Sequence, residues 1–137
     1  AHNAIVREQV AAHGGFEVKS QGDGFMLAFP TARRALRCAV AMQRAMQARA
    51  LRQPEPLRIR IGLHRGEVIR EADDFFGPHV ILAARIAAQA DGGTILTSAL
   101  VKELTASTGE FTFGPGWDVE LKGISGPQRV YAVEWAA

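Results

Sequence analysis

Three places in the chain carry side chains whose types and spacing could do chemistry. Lys19 and Asp23 put an ammonium and a carboxylate four residues apart, across Gln21-Gly22-Asp23-Gly24. Asp-Gly is what a hairpin turn prefers in any case, so a turn is the ordinary reading. A carboxylate at such a tip, beside bare glycine backbone, is also suited to hold Mg²⁺ against phosphates, because that ion takes one or two carboxylates and leaves its other positions to water and phosphate. Asp73-Asp74-Phe75-Phe76-Gly77-Pro78 leads into the run 80–88, in which every residue but Arg85 is apolar. Adjacent loop carboxylates are usually solvated and a helix arginine usually meets water. A guanidinium set among apolar neighbours instead calls for an anionic partner. Leu121-Lys122-Gly123 offers a further cation before a turn, and Lys122 is one of three lysines, with Lys19 and Lys102, among 16 basic residues. A lysine there is ordinarily a solvated charge; in so arginine-rich a chain it also fits a need for a compact ammonium.

These groups need elements to hold them. Ile5, Val6, Val10 and Ala11 share one face of a helix over 2–14, which Gly14-Gly15 stops. Residues 16–20 and 25–29 are runs of strand formers on either side of a four-residue turn, a hairpin pattern. Thr31 caps a helix running to about residue 50, with Ala35, Leu36, Ala39, Met42 and Met46 on its core stripe and Cys38 as a small core residue within the same pattern. Residues 58–64 alternate charged and apolar, with Ile59, Ile61 and Leu63 inward, and 67–69 are their strand partner. Gly77-Pro78 opens an alanine-rich helix that ends near Gly92-Gly93. Residues 94–97 are a strand, Ser98 caps a helix to about Ala106, and 111–113, 117–121 and 129–135 are strand and turn. Interleaved strands and helices with a tight hairpin predict an α+β sandwich of the ferredoxin-like class, with an antiparallel or mixed sheet and helices over one face.

Composition bounds the rest. A chain of 137 residues, 47% hydrophobic and 22% charged, is the size of one domain with one core. The single cysteine excludes an internal disulfide. No apolar stretch is long enough to span a bilayer, and no basic start followed by an apolar run marks a signal peptide, so a soluble, cytoplasmic domain without membrane contact is expected. With a net charge of +2 and dispersed arginines there is no nucleic-acid footprint. Neither central strand offers the paired exposed aromatics of an RNA-binding sheet. No Gly-Gly-Asp/Glu-Glu-Phe turn of a diguanylate cyclase occurs.

Taken together, in order and spacing, the motifs are more specific than any of them alone. Lys-x-x-Gly-Asp (Lys19, Asp23) is followed by Gly-x-His-x-Gly-Glu (62–67) and by Asp-Phe-Phe-Gly with Ala-Ala-Arg eight residues after its glycine (Asp74, Gly77, Arg85); then come Gly92-Gly93 before a strand and Leu-Lys-Gly (Lys122). Over essentially its whole length the chain resembles the catalytic domains of class III adenylate and guanylate cyclases. The resemblance implies a single cyclase domain over 1–137 that starts after the family's first strand. It also implies attack of a nucleoside triphosphate's 3′-hydroxyl on its own α-phosphate, assisted by two ions of Mg²⁺ or Mn²⁺. Carried over position by position, Asp23 becomes one of two metal carboxylates, the other lying on the absent strand. Lys19 and Asp74 read the adenine edge of ATP, Arg85 stabilises charge at the α-phosphate, and Lys122 holds the terminal phosphates. Lysine donating to a ring nitrogen and aspartate accepting from the exocyclic amine suit adenine; family members that take guanine carry glutamate and cysteine there. Such domains act as head-to-tail dimers, so a homodimer within a larger protein with regulatory domains is implied. One position departs from the pattern: Ile81 stands where well-characterised cyclases have asparagine, four residues before the arginine. The alternative to an adenylate cyclase is therefore a weak or silent homology domain serving nucleotide sensing and dimerisation.

Overall fold

Which way a strand residue faces decides where each helix of this chain can pack. The computed structural model describes residues 2–21, 24–50, 60–64, 67–70 and 82–135. In chain order the elements are α1 (His2–Ala12), β1 (Phe16–Gln21), β2 (Gly24–Ala28), α2 (Ala32–Ala50), β3 (Ile61–His64), β4 (Glu67–Arg70), α3 (Leu82–Gln89), β5 (Ile95–Ser98), α4 (Ala99–Ala106), β6 (Thr112–Phe113), β7 (Trp117–Glu120) and β8 (Pro127–Glu134). The strands line up as β1-β2-β4-β3-β5-β8-β6, with β7 also on β8. Among the described pairs only β3 and β5 run parallel. The architecture is α+β with a mixed sheet.

Phe25 and Leu27 on β2, Ile61 and Leu63 on β3 and Ile95 on β5 are fully buried in one cluster with Val6 and Val10 of α1, the Leu36, Ala39 and Met42 stripe of α2, and Val101 of α4. Each large apolar side chain taken out of water here contributes about 1.5–3 kcal/mol. The alternate residues look the other way. Met26 packs with Ala83, Ala84 and Ala87 of α3, and Leu96 packs with Ile86. Helices therefore cover both faces, α1, α2 and α4 on one and α3 on the other, where a single covered face was expected. The reason lies in the sheet: β2, β3 and β5 present apolar or glycine residues at consecutive positions, so each strand has two faces to bury.

The element ends follow their caps. Thr31 Oγ1 accepts from Arg34 N at 3.1 Å and opens α2. Ser98 Oγ accepts from Val101 N at 3.3 Å and opens α4 straight from the end of β5. The expected strand over 58–64 is described from Ile61, Ile59 lying outside the described residues, and its antiparallel partner is β4 as expected. Cys38 is fully buried in the α2 core, and burial pushes its thiol up to about 12. Among the described residues no helix is long and apolar enough to cross a membrane.

Candidate functional site

Arg85 owes its place to a glycine on the strand beneath it. Gly62 lies at the centre of β3, on the side opposite to Ile61 and Leu63, and α3 packs directly over it. A Cβ built at Gly62 would stand 2.3 Å from Ala87 N, 2.5 Å from Ala83 O and 2.7 Å from Ala87 Cα. Backbone meets backbone there, which requires a residue without a side chain. Ala83, Ala84, Ile86 and Ala87 are buried against the sheet, whereas Leu82, Arg85 and Ala88 are half-buried and Gln89 is exposed. Much of the apolar run around Arg85 is thus explained by packing within the chain. The arginine belongs to the helix side that the sheet leaves open.

The turn after α3 is pinned. Trp135 Nε1 donates to Gly93 O at 2.8 Å, and Thr94 N donates to Asp91 O at 3.1 Å. Thr94 O accepts from Ile61 N at 3.0 Å and from Gln43 Nε2 at 3.2 Å, and Gln43 is almost wholly buried on α2. The turn between α3 and β5 is therefore fixed from α2, from β3 and from the end of β8.

Lys122 is exposed in the turn between β7 and β8. Ile124 N donates to Leu121 O at 3.0 Å, and Gly123 takes φ 79°, the left-handed value a turn of this kind demands at its third residue. Leu-Lys-Gly is thus a turn that needs its glycine, presents its lysine and buries its leucine. Leu121 packs in one cluster with Ile86 and Ala90, so the lysine turn is seated on the same stretch of chain that carries Arg85.

Lys19 lies on β1, whose register slips by one residue between Glu17, opposite Leu27, and Lys19, opposite Met26. Val18 is the extra residue of this bulge. Without it Lys19 would pair with Phe25 of the large core; with it Lys19 holds the register position of Met26, the β2 residue that packs on α3. Gln21 pairs with Gly24, so two residues make the hairpin connection, and Asp23 falls there, outside the described residues. Asp74 and Ile81 also lie outside them. Among the described residues, Arg85 lies on α3, Lys122 lies in a turn whose Leu121 clusters with Ile86 of α3, and Lys19 is placed by backbone register opposite Met26. No group of three or more His, Cys, Asp or Glu suited to a metal ion is gathered among those residues.

Reading the residues by type missed Gly62, Gln43, Trp135 and the Val18 bulge. Gly62 and Gln43 left signals: a glycine inside a strand pattern marks close backbone approach, and a glutamine inside the apolar stripe of α2 marks a buried hydrogen bond. The bulge left none. A cleft of about 740 Å³ lies elsewhere, between α1, α2 and β6, lined among others by His13, Arg37, Arg44 and Glu110. Arg37 is engaged there with Glu110 and Arg44 with Trp135 O, and the cleft sits on the core-helix side, away from α3.

Comparison with known proteins places this arrangement. Residues 1–135 match the adenylate and guanylate cyclase catalytic domain. An adenylate cyclase of Mycosarcoma maydis is 38% identical over 136 residues, covering 80% of this chain and 6% of that protein. One of Neurospora crassa is 38% identical over 122 residues, covering 71% of this chain and 5% of its own length. The chain thus spans a small fraction of these relatives. The crystal structure of an adenylate/guanylate cyclase/hydrolase from Silicibacter pomeroyi superposes with a TM-score of 0.78 at 36% identity, over 93% of this chain and 76% of that one. The sheet, the helices on its two faces and the match along the whole sequence lead to one conclusion: the chain belongs to the adenylate and guanylate cyclase catalytic-domain family.

Proposed function

We propose that this domain is an adenylate cyclase, converting ATP to 3′,5′-cyclic AMP and pyrophosphate, as part of a larger cytoplasmic signalling protein. The observation that carries the reading is the seating of Arg85: a half-buried arginine on α3, with the Leu121 of the Lys122 turn in one packed cluster with Ile86 of the same helix. Two cations whose chain neighbours Ile86 and Leu121 share one packed cluster suit a polyphosphate better than a single anion. The 3′-oxygen of the ribose forms a bond to the α-phosphorus, the bond from that phosphorus to the bridging oxygen breaks, and the hydroxyl proton is lost to the surroundings. Arg85 stabilises the charge gathering on the α-phosphate oxygens, which is where a fixed donor accelerates the reaction most. Lys122 holds the terminal phosphates and so orients the leaving group. Lys19 donates to the ring nitrogen of adenine and Asp74 accepts from its exocyclic amine. Asp23 is a hard oxygen donor of the kind magnesium and manganese take, and two such ions, when bound, neutralise the phosphates. The sites are shared in a head-to-tail homodimer, with Asp23 from one protomer and the purine and phosphate groups from the other.

A second reading has one specific residue in its favour. Ile81 can neither donate nor accept a hydrogen bond, and a domain lacking a donor at the reacting phosphate is slowed about a hundredfold to a thousandfold, or has become a silent nucleotide-sensing and dimerisation domain. The test is cyclic AMP formation by the full-length protein with Mg²⁺ and with Mn²⁺, for the parent, Arg85→Ala and Ile81→Asn. A slow parent, a dead Arg85→Ala that still binds ATP and a faster Ile81→Asn support the cyclase. No product from any form favours the silent domain, and an unimpaired Arg85→Ala overturns the role given to Arg85.

A further inference from the structure

Gly62 belongs to the Gly-x-His-x-Gly-Glu motif, yet nothing in the reaction above uses it. It is buried beneath α3, and the three atoms nearest to a Cβ placed there are all helix backbone, of Ala83 and Ala87. Those residues bracket Arg85, two positions before and two after it. A contact made by backbone alone has no side chain that could swing aside. The helix can answer a larger residue only by moving as a body, and Arg85 moves with it. The alanines on the helix side complete the device: Ala83, Ala84 and Ala87 are all fully buried, so the helix lies as close to β3 as a helix can. The turn that follows α3 is held through Gly93 and Thr94, so the chain after the helix does not follow it freely.

We propose that Gly62 is a positioning residue for Arg85: it sets how deep α3 lies on the sheet and thereby where the guanidinium stands relative to the bound triphosphate. The proposal rests on the reading of Arg85 as the group at the α-phosphate. A Cβ at 2.3 Å must retreat to ordinary contact, so Gly62→Ala lifts the helix by about 1 Å, a misplacement of the size that costs a reaction about a hundredfold.

The full-length protein is assayed with ATP and Mg²⁺, rates being expressed per folded molecule counted by near-ultraviolet circular dichroism. Gly62→Ala is expected to lower kcat about tenfold to a hundredfold and to change KM by less than about threefold. Repeated in an Arg85→Lys background, the same substitution is expected to cost less than about threefold, because a displaced helix cannot remove an interaction already removed. If Gly62→Ala does not fold, Ala87→Ser enlarges a fully buried side chain in the cluster between α3 and the sheet and carries the same expectations. An unchanged kcat, or an equal loss in both backgrounds, overturns the proposal. A second readout is independent of turnover: in ¹⁵N-arginine spectra, with Arg85 identified by its loss in Arg85→Lys, Gly62→Ala shifts the Arg85 Nε–H signal, and an unmoved signal overturns the proposal. A parent that makes no cyclic AMP while the signal moves defeats the cyclase reading alone. An Arg85→Lys variant with full activity defeats the role of Arg85 at the α-phosphate and, with it, the kinetic part of the proposal.

Discussion

Arg85 drew attention in the sequence as a cation among apolar residues, and Lys122 as a lysine before a glycine turn in an arginine-rich chain. Their surroundings were not legible there, since Gly62 beneath the helix of Arg85, and Ile86 and Ala90 in one cluster with the Leu121 of the lysine turn, come from parts of the chain far from the residues they seat. Lys19 shows the same limit more sharply: one extra residue at Val18 decides which side of the sheet its register position belongs to, and nothing in Phe16-Glu17-Val18-Lys19 announces a bulge. The assignment of Lys19 and Asp74 to the purine edge makes a prediction at this scale. Lys19→Glu with Asp74→Cys should lower the use of ATP relative to GTP by at least about tenfold, because a site built to hydrogen-bond rejects a base that leaves its groups unpaired; kcat/KM for both nucleotides measures it, and an unchanged ratio contradicts the assignment. A second prediction concerns Cys38. Its thiol is raised from 9.0 to about 12 by burial, so between those values the unfolded chain ionises a group that the folded chain keeps neutral. Its contribution is intact below pH 9 and is lost as the pH rises toward 12, at up to about 1.4 kcal/mol per pH unit. Urea midpoints between pH 8 and pH 11 should therefore fall more steeply for the parent than for Cys38→Ala, which will be less stable at neutral pH but less sensitive to alkali.

At the scale of elements, starts and stops were the readable part. Thr31 and Ser98 are capping residues by type, and both cap. Gly14 takes φ 71° just past the end of α1, whereas α3 already stops at Gln89, and Gly93, at φ 84°, serves the turn into β5. The side of the sheet that each helix takes was less readable, because an alanine-rich helix fits either face and only the alternation of Ile61, Gly62 and Leu63 across β3 tells α3 where to go. The parallel pairing of β3 with β5 was likewise absent from local pattern, since it depends on the crossover through α3. Ser98 offers a test of how much a cap matters where a strand turns directly into a helix. Ser98→Ala should reduce stability by about 1 kcal/mol in urea titration, since the Val101 amide loses its acceptor in a buried position. Ser98→Thr should keep most of it. Equal midpoints for parent and alanine variant would mean that the packing of Val101 alone holds the start of α4.

For the whole molecule, the two sides of the sheet are unequally covered. Three helices close one side, and among the described residues α3 alone lies on the other. Leu82, Arg85 and Ala88 are half-buried on the flank of α3 turned from the sheet, where the proposed homodimer would form its shared sites. Sedimentation equilibrium of the full-length protein with ATP and Mg²⁺ should show a monomer–dimer equilibrium that nucleotide shifts toward dimer; a strict monomer at high concentration contradicts the shared site. The carbonyl of Thr94 ties the molecule together in another way. It accepts from Ile61 of β3 and from Gln43 of α2 at once, and Ile61 and Ile95 share one core with the stripe of α2, so the central parallel pair is expected to open together with α2. The Ile61 amide should thus exchange with solvent deuterium only through an opening that includes α2, at a free energy close to that of complete unfolding. Replacing Gln43 with leucine should uncouple the two, so that Ile61 exchanges through a smaller, local opening while amides of the β1–β2 hairpin keep their rates.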